Sequence, residues 1–159
     1  MKIIGKGQKK PKPIRVKIRE MEIGDIESVW NMGEKQFLEI ERLNWDWSPE
    51  SIGKYLDPEE GFGFIAEKNG EVAGFILVEY SWSLQKRKAG SIEWIMVGRK
   101  YRHAGIGTQL IKRALTKLRR NGMKEVIATI WSKNKPSLKT FNKMDFKTRG
   151  KLIFKSRRL

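Results

Sequence analysis

Val97-Gly98-Arg99-Lys100-Tyr101-Arg102-His103-Ala104-Gly105-Ile106-Gly107-Thr108-Gln109-Leu110 joins an apolar run, Ser91 to Val97, to a run with helical periodicity. Gly105 and Gly107 let the backbone turn tightly and let a ligand approach closely, because neither carries a Cβ. The residues that follow open a helix, whose free N–H groups and positive dipole end favour an anion. Arg99, Lys100, Arg102 and the Thr108 hydroxyl surround the same spot. A pyrophosphate suits that combination. Two familiar phosphate loops do not match: no Gly-Lys-Ser/Thr closes a Walker A loop, and the third glycine of Gly-x-Gly-x-x-Gly falls on Leu110. On these residues alone, a bare tight turn stays an open alternative.

Outward from this loop the periodicities are readable. Thr108 to Arg120 is an amphipathic helix with Leu110, Ile111, Ala114, Leu115 and Leu118 on one face, stopped by Asn121-Gly122. Upstream, Gly63 to Glu67 and Val72 to Tyr80 flank Asn69-Gly70, a strong hairpin signal. Ile14 to Arg19 alternates apolar and basic residues as a half-buried strand does. Asp25 is read as the N-cap of a helix with Ile26, Val29, Trp30, Phe37 and Ile40 as its stripe, although Gly33 weakens it. Ser48-Pro49-Glu50 opens a second, short helix. Gln85 to Lys88 reads as a solvated loop. Downstream, Val126 to Trp131 is a strand, Lys133-Asn134-Lys135-Pro136 leads into a helix ending near Met144, and Asp145-Phe146 begins a last strand region. The expected order is β-α-α-β-β-β-α-β-α-β, a mixed α/β domain over residues 14–159 preceded by a flexible basic arm, residues 1–13.

The 159 residues suit one domain, and 39% hydrophobic against 33% charged residues suits a folded, water-exposed protein. With no cysteine there is no disulfide framework, Cys-ligated zinc or Cys nucleophile. The lone histidine, His103, makes no metal site and reads as a solvent-facing loop residue. No apolar run approaches membrane-spanning length and none follows the basic N-terminus, so no membrane association and a cytoplasmic location are expected. Thirty-four Lys+Arg against 18 Asp+Glu give a net charge of +16. Such a field draws RNA, DNA, acidic proteins or polyphosphate cofactors alike, and also serves plain solubility. No nucleic-acid motif and no basic stretch interleaved with aromatics is present.

The segment from Val97 to Leu110 resembles the acetyl-coenzyme A signature of the GNAT superfamily, Arg/Gln-x-x-Gly-x-Gly/Ala between a strand and an amphipathic helix. Asn134-Lys135-Pro136-Ser137 followed by Phe141-Asn142-Lys143-Met144-Asp145-Phe146 is similar to the family's second block, Asn-x-x-Ala-x-x-x-Tyr-x-x-x-Gly-Phe. The element order agrees from Ile14 to the end. The resemblance implies a mostly antiparallel sheet flanked by about four helices, with splayed central strands. It implies that the backbone of Arg102, His103, Ala104, Gly105, Ile106 and Gly107, with Thr108, holds the coenzyme A pyrophosphate. It also implies that Ile95, Met96 and Val97 pair with the pantetheine arm, that Asn134 bonds the arm, and that Lys143 reaches the phosphates. No metal is expected.

The activity implied is acetyl transfer to a primary amine on a peptide or small molecule, with a protein N-terminus or lysine foremost. The departures are Phe141, where the family often has a tyrosine acid, and Ser137 and Asp145 for Ala and Gly. The short run Lys151-Leu152-Ile153-Phe154 leaves little room for a final hairpin. Glu93 is the candidate base, placed by period two on the face of Ile95 and Val97, with Glu79 and Tyr80 as weaker candidates. Trp45, Trp47 and Tyr80 are candidate acceptor-binding residues, with Glu39, Glu41 and Asp46 able to attract an amine; Trp82 fits either the site or a dimer seam. A different reading remains: a catalytically weak GNAT-fold module that holds RNA or a ribosome through its basic surface. Either a monomer or a homodimer is compatible with the sequence.

Overall fold

Asn69 and Gly70 both have positive φ (52° and 77°), so the two-residue turn has the mirror-image twist that a tight hairpin needs. It joins β2 (Gly61–Lys68) to β3 (Glu71–Trp82). The computed structural model describes residues 14–37, 46–82, 87–151 and 153. The other elements, in chain order, are β1 (Lys17–Glu20), α1 (Ile26–Phe37), α2 (Pro49–Gly53), β4 (Lys88–Val97), α3 (Ile106–Arg120), β5 (Glu125–Ala128) and α4 (Lys135–Lys143). Short 3₁₀ turns precede α1, follow α2 and follow β4. The sheet runs β1-β2-β3-β4-β5, with three antiparallel pairings and one parallel pairing, β4 with β5.

Among the described residues this is a mixed, mostly antiparallel sheet with four helices, as the motifs imply. The splayed strands are present too. β5 pairs with Ala89 to Ile92 only, so Glu93 to Val97 of β4 extend beyond the ladder on that side. Pairing ends one residue before an irregularity in β4. Trp94 opposes Leu77 and Ile92 opposes Val78, which leaves Glu93 as the extra residue of a β-bulge, a device that bends a strand.

The described residues fall into two compact units, one ending at Thr129 and one beginning at Ile130. In the first, Met21, Val29, Ile52, Tyr55, Ile65, Phe75, Leu77 and Met96 form the core between the sheet and α1 and α2. Each such side chain contributes on the order of 2 kcal/mol by leaving water. Leu110, Ile111, Ala114 and Leu118 of α3 are buried and cover the other face. There Lys117 and Arg113 lie over the Phe62 and Phe64 rings, and Leu118 occupies the space a side chain at Gly90 would need. In the second unit, Asn134 caps α4, and Phe141 meets Phe146 edge-to-face at 4.9 Å.

Several boundaries differ from the expectations. β1 starts at Lys17 rather than Ile14. Asp25 is not the N-cap: Glu22 caps a 3₁₀ turn, Ile23–Asp25, and the Asp25 carboxylate accepts from the Glu22 N–H at 2.8 Å. The same carboxylate takes both Arg19 nitrogens, at 2.7 and 2.8 Å, tying the turn to β1. Lys88 is no loop residue, since it pairs with Trp82 and starts β4. β5 ends at Ala128, short of Trp131. Residues 146–151 and 153 carry no strand, where Asp145-Phe146 was expected to begin one. The basic arm, Phe37's side chain, Glu39, Ile40, Glu41, Trp45, Gln85 and Lys86 lie outside what is described.

Candidate active site

β4 delivers the chain into the glycine loop. Gly98 N–H bonds to Ala73 C=O at 2.9 Å, Arg99–Tyr101 make one 3₁₀ turn, and two left-handed residues follow, His103 (φ 62°) and Gly105 (φ 78°). A left-handed residue costs an L side chain roughly 1–2 kcal/mol, which explains glycine at 105. His103 is exposed, as expected. The loop is braced from outside. Lys100 Nζ and the Tyr101 hydroxyl reach Glu71 at 2.6 and 3.0 Å, and Arg102 Nε bonds the Val97 carbonyl at 3.1 Å. These donors hold the exposed Glu71 carboxyl below its ordinary range, Lys100 first.

Gly105 caps α3 without a side-chain cap, and the first bond at the helix start runs from Gln109 N–H to Gly105 C=O. Among the described residues, the N–H groups from His103 to Thr108 have no recorded protein acceptor. Gly107 needs no glycine for the protein's sake. A Cβ there would meet its nearest neighbour, Val97 Cγ2, at an ordinary 3.8 Å, so the open side is available to a ligand. These donors and this clearance fit a pyrophosphate. The Arg102 N–H bonds back to Arg99 C=O at 3.4 Å.

Ile95, Met96 and Val97 occupy the part of β4 that extends past β5. Their β3 side is paired with Ile76, Phe75 and Gly74, so the other edge is the one left to a ligand. Glu93 is exposed at the bulge. The bulge breaks the period-two reading: Glu93 is the extra residue between Ile92 and Trp94, and Trp94 and Met96 pack on the α1 face. Tyr55 is buried, and its hydroxyl lies 3.2 Å from Glu79 Oε1, which also pairs with Lys54. Burial first, then the charges of Glu79 and Glu93, push this phenol well above its ordinary value. Spacing along the chain carried no signal for this group, because Lys54 and Tyr55 come from the turn after α2.

Trp47 is half-buried, donates to the Trp30 carbonyl at 3.0 Å and packs on Trp94 at 4.8 Å. The Tyr80 hydroxyl accepts from Asn121 Nδ2 at 2.6 Å, beyond the C-terminus of α3, whose 15 residues separate it from the glycine loop by about 22 Å. Asn134 and Lys143 lie in the second unit. Asn134 Oδ1 accepts from Ser137 N–H at 3.2 Å, and Lys143 is exposed in the last turn of α4. Among the described residues no group of three His, Asp or Glu side chains is placed to hold a metal, and no helix is long and apolar enough to cross a membrane.

The chain belongs to the acetyltransferase (GNAT) family, whose model matches residues 26–146, the span of α1 through α4. It is 31% identical over 90 residues to an uncharacterised N-acetyltransferase of Methanocaldococcus jannaschii, a match covering 55% of this chain and 39% of that protein. This chain thus spans well under half the length of that relative. It is 29% identical over 125 residues to an N-alpha-acetyltransferase of Sulfurisphaera tokodaii, covering 70% of this chain and 73% of the relative. Its fold is similar to that of AAC(6′)-Iy, solved in complex with the bisubstrate analogue CoA-S-monomethyl-acetylneamine. There the TM-score is 0.75 at 20% identity, over 92% of this chain and all of that one.

Proposed function

We propose that the protein is an acetyl-coenzyme A-dependent N-acetyltransferase whose acceptor is a peptide amine, a protein N-terminal α-amine foremost and a lysine side chain next. The observation that carries this reading is the junction of β4 and α3. A run of N–H groups without protein acceptors opens α3, and the strand that feeds the loop carries Ile95, Met96 and Val97 beyond the β5 ladder. The N-alpha-acetyltransferase likeness favours the α-amine.

In this reading the N–H groups of His103, Ala104, Gly105, Ile106, Gly107 and Thr108 bind the pyrophosphate, helped by the α3 dipole and the positive charge of Arg102. The free edge of Ile95, Met96 and Val97 takes the pantetheine arm as an added strand. The resemblance to the family adds Asn134, whose Oδ1 serves as a cap and whose amide N–H₂ is left to donate, for the arm, and Lys143 for the phosphates. Bound acetyl-coenzyme A supplies an acetyl group already activated as a thioester. Glu93, exposed at the bulge, takes the proton of the acceptor ammonium through water, and Trp47 walls the acceptor. Phe141 has no proton to give, so the position where the family often carries a tyrosine acid supplies none here.

Calorimetric titration with acetyl-coenzyme A tests the reading, alongside Arg102→Glu and with ATP and a short RNA as competitors. Saturable one-site binding, weakened by the variant and poorly competed by RNA, supports a dedicated site. Binding no tighter than that of ATP overturns it. Mass spectrometry on peptides with free and blocked α-amines then decides the acceptor.

A further inference from the structure

The end of the sheet remote from the glycine loop gathers residues that no single stretch of sequence puts together. Trp82 ends β3 and is 65% exposed, an unusual place for an indole. Its ladder partner is Lys88 at the start of β4. Lys88 C=O in turn accepts from Lys124 N–H at 2.8 Å, just before β5. Arg119 and Arg120 end α3, and the next residue, Asn121, bonds Tyr80 on β3. Lys88, Arg119, Arg120 and Lys124 are all exposed, and none has an ion-pair partner among the described residues. The helix dipole accounts for basic residues in the last turn of α3. It does not account for Lys88, for Lys124 or for an exposed tryptophan beside them. Glu125 is half-buried, and the acidic turn Asp57–Glu60 borders the patch on the β2 side, where Glu60 C=O accepts from Tyr80 N–H.

An open aromatic face among unpaired cations matches one kind of ligand, a single nucleic-acid strand, whose bases stack while its phosphates take the charges. An acidic peptide would use the cations and leave the indole idle. We propose that Trp82 with Lys88, Arg119, Arg120 and Lys124 forms a docking surface for single-stranded nucleic acid. It is independent of the cofactor loop, which lies at the opposite end of β4 and α3.

The test is fluorescence anisotropy of labelled 12-nucleotide oligo(U) and oligo(dT), and of a duplex, on the full chain with saturating acetyl-coenzyme A, across a salt series. Trp82→Leu, which keeps apolar bulk but has no aromatic face, is expected to weaken single-strand binding about tenfold with an unchanged salt slope. Trp82→Phe should recover most of it. Arg119→Gln/Arg120→Gln should lower the slope of log affinity against log salt by about 1.4, two phosphate contacts' worth for a single strand. Arg15→Gln/Lys17→Gln, the same charge change at the β1 edge of the sheet, should leave it nearly unaltered. Equal affinity for the two oligonucleotides would mean that phosphate and base face are read; a preference for oligo(U) would add a contact to the 2′-hydroxyl, and either agrees with the proposal. It is overturned if Trp82→Leu binds as the wild type does, if the β1-edge pair loses as much as the α3 pair, or if the duplex binds as tightly.

Discussion

Gly33 of α1 lies face to face with the indole of Trp47, whose ring fills the space a Cβ on that glycine would take. Trp47 is fixed there by its bond to the Trp30 carbonyl and by stacking on Phe75 at 5.8 Å. Its ring therefore has nowhere to retreat. Alanine ordinarily improves a helix by up to about 1 kcal/mol over glycine. Here overpacking should win: Gly33→Ala is expected to destabilise the fold by about 1–3 kcal/mol. Urea unfolding checks it, and a midpoint at or above that of the wild type would refute the packing account.

Asp25 sets the acid limit of the first turn. Burial alone would raise its pKa, but the Arg19 guanidinium and the Glu22 N–H outweigh burial and hold it below the ordinary carboxylate value. A carboxyl whose folded pKa is depressed stabilises the fold above its unfolded pKa, about 3.9, and that contribution is lost as pH falls through the folded value. Asp25→Asn should therefore cost about 1–3 kcal/mol at neutral pH. The difference from the wild type should shrink as pH drops below about 4, which thermal melts across that range would reveal.

The two loop glycines should separate folding from binding. Gly105 has φ 78°, so Gly105→Ala should lower stability by about 1–2 kcal/mol. Gly107 has ordinary helical geometry and room for a methyl group, so Gly107→Ala should melt no lower than the wild type. The added Cβ would nonetheless stand on the side left open to the pyrophosphate, and acetyl-coenzyme A affinity should fall at least about tenfold. Calorimetry beside a melting curve reads both. A Gly107→Ala protein that binds normally would remove this loop from the cofactor site.

These contrasts mark what could be read along the chain. The Asn69-Gly70 turn, the α3 stripe and the loop from Arg102 to Thr108 are local patterns whose meaning sits in neighbouring residues. Gly33 read as a flaw in a helix because its reason, Trp47, is 14 positions away. Asp25 read as a cap because a carboxylate before an apolar run often is one; its real partners, Arg19 and the Glu22 N–H, became visible only once β1 and the 3₁₀ turn were placed. The bulge at Glu93 arises from a register mismatch between β3 and β4, and period-two counting along one strand cannot detect a mismatch between two. The partner of Tyr80, Asn121 at the end of α3, stands 41 positions away and is equally invisible to a local pattern.

The bulge also decides how Glu93 should be tested. Its carboxylate is exposed, and its charge acts on a Tyr55 hydroxyl that Glu79 already occupies. If Glu93 takes the acceptor's proton, Glu93→Gln should lower kcat about 10²-fold while acetyl-coenzyme A affinity stays put, because no pyrophosphate contact is lost. Glu79→Gln distinguishes a positioning role. It removes the charged partner of Lys54 and Tyr55 without removing the exposed base, so it should raise the acceptor KM more than it lowers kcat. A kcat that survives in Glu93→Gln and collapses in Glu79→Gln would move the proton acceptor one strand over, from the β4 bulge to β3.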